Sequence, residues 1–402
     1  MTFHNYTFPS ELLQLVLKSA ELRKQFAQTS ASVDKRGEDP AENLELIWRS
    51  GLNALSVPQA YGGLSNGLVG FAFEALTETI INIAAGEGST GQIYFVQALL
   101  ARQLFSPYID LPETTRQQLA HEILHENVRL VSSNAEAGSQ APAISHPVAG
   151  GIVLRGTKTF NTASGGARYA VVGHRLEGAE GFHIALVRLD DPSVHLHNDW
   201  DNMGQRATVS QTITYDDVFV PDGWHAPLSS HVQALLGVMG FVMHGALLLG
   251  IGLGGFDAAL NYVQTKQRVV SSGAKLTSED PLLRLRVGDL SIVLAAAQAL
   301  LREAARAVEA FADGDDVSAL LIHASRAKVA SIEAALKVTN DLFEIIGARG
   351  TASSYRFDRY WRDARTFSVA LPTDLRRLAV GEYELNGQAL AMNFAQAFQG
   401  RI

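Results

Sequence analysis

The chain has 402 residues, 47% hydrophobic and 18% charged, which suits a globular protein of two or three structural units and excludes an extended disordered one. Its formal net charge of -8 argues against a broad nucleic-acid-binding face. The absence of cysteine excludes disulfides, thiolate catalysis and zinc–thiolate sites.

The N-terminal residues MTFHNYTFPSELLQ lack a basic run followed by an apolar stretch, so no secretion signal is expected and the cytoplasm is the expected compartment. Ser10 reads as the N-cap of a first helix reaching about Thr29, and a second runs from Ala41 to Arg49. Pro58 and the Gly62-Gly63 pair mark an extended step and a turn. Helical patterns follow over Gly67–Ala85, Thr90–Phe105 and Glu113–His125. The period changes at Val128. Val128–Ser132, Ile152–Arg155, Tyr169–Val172, Phe182–Val187 and Val209–Tyr215 read as strands, with no room for helices of ordinary length between them, which predicts an antiparallel β domain. From Val232 the pattern is helical again: Val232–Val269, Pro281–Ala312, Val317–Ile346 and Thr373–Ala397 predict a four-helix bundle. The run Ala234–Leu260 is apolar enough to raise a membrane helix, but its glycines and His244 favour a packed soluble helix.

The familiar catalytic motifs are missing. No GxGxxG follows a strand, no GxxxxGK[ST] or GxSxG occurs, and Gly250–Gly255 lies inside a helical pattern as packing glycine. His121 and His125 read as surface histidines, and no metal site is expected. Polar density instead gathers at β-domain edges: Ser132-Ser133-Asn134, Thr159-Phe160-Asn161-Thr162 and Asp199–Gly204 with Trp200. Such groups can read the edge of a planar heterocycle beside an aromatic face, and they equally suit polar turns around a half-buried tryptophan. The stretch Asn340–Leu371 closes a helix at Gly347 and turns into a basic, aromatic segment, which fits either an anion or ring-edge site or a solvated loop with ion pairs.

Helices, β domain and bundle, in that order, resemble the acyl-CoA dehydrogenase superfamily. Ser56-Val57-Pro58 through Leu64, Gly156–Thr162, and Asp199–Pro221 with Val218-Phe219-Val220-Pro221 carry the resemblance, which covers essentially the whole chain. It implies an α+β fold with an N-terminal helical domain (1–126), a middle antiparallel β domain (127–225) and a C-terminal four-helix bundle (226–402). The dehydrogenases carry a glutamate base at positions that fall here among Phe367–Leu371 or near Gly240, and neither offers a carboxylate. Tyr360-Trp361-Arg362-Asp363-Ala364-Arg365-Thr366 resembles instead the dibenzothiophene monooxygenase-like branch. That resemblance implies reduced FMN supplied by a separate NAD(P)H flavin reductase, O2, and oxygenation of a small organic substrate at sulfur or nitrogen. The desulfurising enzymes place histidines where this chain has Gln97, Phe367 and Ala370.

By the same resemblance, Asn134, Asn161, Thr162 and Trp200 face the flavin ring. Arg268, after Tyr262 and Lys266, reaches the phosphate from a neighbouring subunit, and Arg349 and Ser353 complete the cofactor contacts. Asn134, Thr162 and Gln97 stand as catalytic candidates, and Tyr94, Gln97 and Phe367 as substrate-binding ones. Val269-Val270 replaces the dehydrogenases' phenylalanine-glycine pair, which favours FMN, with FAD as the alternative. A homotetramer is expected, with no nucleic-acid or membrane partner. The alternatives are an acyl-CoA dehydrogenase-like enzyme with a displaced base, and a non-catalytic flavin or ligand binder.

Overall fold

The computed structural model describes residues 8–137, 142–265, 276–312 and 314–387. Helices α1 (Ser10–Arg36), α2 (Ala41–Arg49), α3 (Phe73–Gly86), α4 (Gly88–Leu104) and α5 (Glu113–His125) come first. Helix α1 ends where Gly37 takes a left-handed φ of 66° and returns its N–H to Val33. The sharp break between α3 and α4 is held by Glu87, whose carboxylate accepts from the N–H groups of Ser89 and Thr90 and from the Thr90 hydroxyl.

Nine strands follow: β1 (Leu130–Ser133), β2 (Ala135–Glu136), β3 (Ile144–Val148), β4 (Gly151–Thr159), β5 (Tyr169–Leu176), β6 (Phe182–Arg188), β7 (Val194–Leu196), β8 (Ile213–Pro221) and β9 (His225–Leu228). The main order is β7-β8-β4-β3-β5-β6-β9, with β1 on β5 and β2 on β4. Most pairings are antiparallel as expected, but β1–β5 and β3–β5 run parallel, so the sheet is mixed. Alternation along β5 and β6 divides their side chains between two cores. Tyr169, Val171, Ile184 and Leu186 join the large core shared with the helices. Ala170, Val172, Ala185 and Val187 face the smaller core inside the strands.

The C-terminal helices are α6 (Ser230–Thr265), α7 (Pro281–Ala310), α8 (Val317–Ile346) and α10 (Thr373–Asn386), with the short α9 (Asp358–Ser368) set between the last two. Helix α9 was not expected: its buried face is Arg359, Tyr360, Asp363, Ala364 and Ser368, a pattern that apolar periodicity does not register. Among the described residues α6 has the length and apolarity of a membrane span, yet 83% of its most apolar window is buried within the protein. The reason lies in its glycines. A Cβ at Gly250 would stand 2.6 Å from the Ile81 carbonyl oxygen, and one at Gly254 would stand 2.3 Å from that of Ala85, so α6 and α3 meet backbone to backbone.

Candidate active site

A cavity of about 780 Å³ opens where α4, α6, α9 and the strand ends converge. Its α4 wall is a helical stripe: Gln92, Phe95, Val96, Leu99, Leu100 and Gln103 recur at three and four residues. Ser132, Asn134, Phe160, Thr162, Trp200, Gln205 and Ser210 form the polar, β-side wall. Gly240, Phe241, His244, Thr366 and Phe367 form the bundle-side wall.

Thr162 is the most constrained group on the polar wall. Its hydroxyl oxygen accepts from Gln92 Nε2 and from Ser210 Oγ, both at 3.0 Å. With both lone pairs engaged, its own proton is directed away from these partners. Ser210 shares a further 2.7 Å hydrogen bond with the Thr208 hydroxyl. Asn134 donates to Ser132 Oγ at 2.9 Å where the chain leaves β1. Trp200 donates its indole N–H to the Gln205 carbonyl at 3.0 Å and meets Phe160 edge-on, ring centres 6.0 Å apart.

Gln205 has a left-handed φ of 53°, and both polar atoms of its buried side-chain amide lack hydrogen-bond partners among the described residues. Its backbone N–H is held by Asp363 Oδ1 at 2.6 Å. Burial and the neighbouring Glu87 carboxylate push Asp363 up to about 8. Helix α9 also holds the loop through Arg362, which donates to the Met203 carbonyl and makes a two-pronged contact with Asp34 on α1. Burial alone would raise Asp34, yet Arg362 and Arg356 hold its carboxyl below the ordinary range.

The bundle-side wall is aromatic. Phe367 meets Phe95 edge-on, centres 5.9 Å apart, and lies 4.3 Å from the His244 ring. His244 is buried, its Nε2 has no hydrogen-bond partner among the described residues, and burial with Lys328 nearby holds it far below the usual histidine range. Sequence reasoning did not place His244 in the site. The available signal was its position as the lone ionisable side chain between Gln233 and Asp257.

The remaining sequence-derived residues fall elsewhere. Gln97 is off the α4 stripe; it donates to the Val128 carbonyl at 3.3 Å and accepts from the Leu130 N–H at 2.7 Å, which ties α4 to β1. Tyr94 is buried in the large core with its hydroxyl on the Leu52 carbonyl at 2.9 Å. Helical phase thus leaves Gln97 and Tyr94 out of the lining of this cavity. Asn161 braces the wall from behind: its amide donates to the carbonyls of Lys158 and Gln211, each at 2.8 Å, and its Oδ1 has no partner among the described residues. Arg349 and Ser353 are exposed and do not line the cavity. Arg268 lies outside the described residues.

The walls offer unpartnered polar atoms to a planar ring: the Gln92 Oε1 and both ends of the Gln205 amide, with the Trp200 indole beside them. Those groups can receive and donate hydrogen bonds along one ring edge, which fits an isoalloxazine. Asp201 is the one carboxylate among the described residues lining the cavity, and it is exposed. Among the described residues, the bundle-side wall supplies no carboxylate base, since Gly240, Phe367, Val369, Ala370 and Leu371 stand there.

Residues 242–370 match the family model "Acyl-CoA dehydrogenase, C-terminal domain". The chain is 30% identical over 394 residues to a probable FMNH2-dependent monooxygenase, SfnC, of Pseudomonas putida, covering 93% of this chain and 95% of that protein. It is likewise 30% identical over 395 residues to dibenzothiophene monooxygenase of Rhodococcus qingshengii, covering 91% and 92%. The fold superposes on FMN-bound TdsC of Paenibacillus sp. A11-2 with a TM-score of 0.86 and 24% identity, covering 95% of this chain and 99% of that one. The chain belongs to the flavin-dependent monooxygenase branch of the acyl-CoA dehydrogenase superfamily. It is an oxidoreductase of the flavin-dependent monooxygenase type.

Proposed function

We propose that this chain uses reduced FMN from a separate NAD(P)H-dependent reductase, together with O2, to place one oxygen atom on a small organic substrate at sulfur or nitrogen. The observation that carries this is a cavity with a polar wall suited to a flavin edge and an opposite wall without a carboxylate base. Removal of a thioester α-proton needs such a base within hydrogen-bond reach. When bound, the reduced flavin supplies the activation of O2.

Thr162 and Gln205 offer hydrogen bonds to the ring edge, Asn134 and Trp200 flank it, and Asn161 stiffens the loop behind. Phe95, Phe241 and Phe367 keep water from the opposite side, so fixed dipoles act in a dry space. Arg268 is assigned the flavin phosphate, with Arg349 and Ser353 near the same end. These assignments follow the resemblance, and the exposure of Arg349 and Ser353 leaves both accessible to a neighbouring subunit.

A homotetramer fits the exposed apolar residues Leu282, Leu285 and Ile292 on α7 and Leu378 and Leu385 on α10. The cytoplasm fits a reductase-fed enzyme without cysteine. The test is a coupled assay with NADH, a flavin reductase and FMN under ¹⁸O2. Label in one product oxygen is expected from an organosulfur or amine panel. Tight FAD that is bleached by an acyl-CoA without reductase would overturn the assignment.

A further inference from the structure

Behind the bundle-side wall of the cavity lies a buried cation on α8. Lys328 on α8 is fully buried, and its Nζ has no hydrogen-bond partner among the described residues. It sits 4.8 Å from the centre of the ring of Phe241, a residue that lines the cavity, and the Arg376 guanidinium of α10 stands 4.8 Å from the centre of the same ring. The hydroxyls of Ser325 and Ser331, one turn to either side on α8, are also buried and unpartnered. Helix α6 packs closely here: a Cβ at Gly245 would lie 3.2 Å from Ser331 Oγ and 3.5 Å from the Lys328 Cα. The next residue back, His244, lines the cavity, and its Nε2 has no hydrogen-bond partner among the described residues. Gly240, one turn earlier, leaves open space where a side chain would stand.

A buried ammonium that meets an aromatic ring but no hydrogen-bond acceptor among the described residues is costly, and a neutral imidazole can still donate one N–H. We propose that this end of the cavity binds the oxyacid head of an organic anion, a carboxylate on an apolar body, with His244 donating to the head and Lys328 supplying the charge behind it. The apolar body lies against Phe95, Leu99 and Phe367, on the path to the flavin wall. Such an anion is the substrate of the cavity already described, an inference that rests on the oxygenase assignment. Burial, with Arg376 nearby, pulls the Lys328 ammonium down to about 7.

The probes are two isosteric pairs, benzoate with benzamide and 2-naphthoate with 2-naphthamide, titrated calorimetrically into the full chain with and without saturating FMN. At least one carboxylate should bind about tenfold tighter than its amide. Lys328→Met should remove that preference while leaving the amide within about twofold. His244→Phe should weaken the carboxylate in the same direction, and it carries the comparison if Lys328→Met does not fold. Equal affinity of acid and amide in the wild type, or a preference that survives in whichever of these variants folds, overturns the proposal. FMN titration of the same samples separates the two assignments. Failure of the wild type to bind FMN sinks the oxygenase while leaving the anion preference standing, and retained FMN affinity with no acid preference does the reverse.

Discussion

The two walls of the cavity are built by opposite means. On the β side, Thr162, Ser210, Gln92 and Thr208 are chained by hydrogen bonds of 2.7 to 3.0 Å, and the loop beneath them is braced by Asn161. On the bundle side, Phe95, Phe367 and His244 touch through ring faces and edges, and no hydrogen bond fixes the imidazole Nε2. A dipole network has few arrangements and suits a constant cofactor. An aromatic wall tolerates replacement and suits a variable substrate. On the proposed reading, the dipole network takes the flavin and the aromatic wall takes the substrate.

The largest expected effect falls on the residue that joins the two walls. Asp363, on α9, holds the Gln205 N–H of the opposite loop and is pushed up to about 8 by burial and Glu87. Folding therefore takes up a proton between the ordinary carboxylate range and about 8, and stability falls as pH rises through that window. Asp363→Asn keeps an acceptor for Gln205 and removes the titration. Chemical denaturation from pH 5 to 8 should lose up to about 1.4 kcal/mol of slope per pH unit. An unchanged slope would place the proton elsewhere.

Thr162→Val tests the polar wall directly. It strands the Gln92 and Ser210 donors and removes the proton offered to the flavin. Oxygenation with saturating reduced FMN should fall about a hundredfold, or about 2.7 kcal/mol, with substrate affinity little changed. A loss in substrate affinity alone would mean the walls are not separable.

Phe367→Ala should act in the opposite sense. Substrate affinity should weaken by about tenfold, or about 1.4 kcal/mol, while FMN affinity holds, as read by titration of each ligand. Smallest of all, Gln97→Leu should lower stability by about 1 kcal/mol through the lost ties to Val128 and Leu130, and should leave turnover intact. A severe loss of activity in that variant, with stability kept, would return Gln97 to the site.

The sequence order of helices, strands and bundle, and the motifs around Thr162 and Trp200, were legible because period and turn chemistry are local. What escaped was phase and sign. The α4 stripe is readable as Gln92, Phe95, Val96, Leu99, Leu100 and Gln103, but Tyr94 and Gln97 stand on the same helix turned roughly 100° to 200° away. Resemblance pointed to a position, and the turn of the helix assigned it to another face. Helix α9 escaped because it buries Arg359 and Asp363, residues that a hydrophobic pattern counts as outside. His244 was visible but unassigned, since a lone histidine in an apolar helix gives no direction until a neighbour such as Phe367 supplies one.

The glycine seam between α3 and α6 has a mechanical meaning. Where backbone rests on backbone at Gly250 and Gly254, neither helix can slide along the other without driving a carbonyl into a Cα. Helix α4 follows directly from α3, so the spacing of the two helices that frame the cavity is fixed by the main chain, while its chemistry resides in replaceable side chains. The result is a mould with rigid jaws and an exchangeable lining.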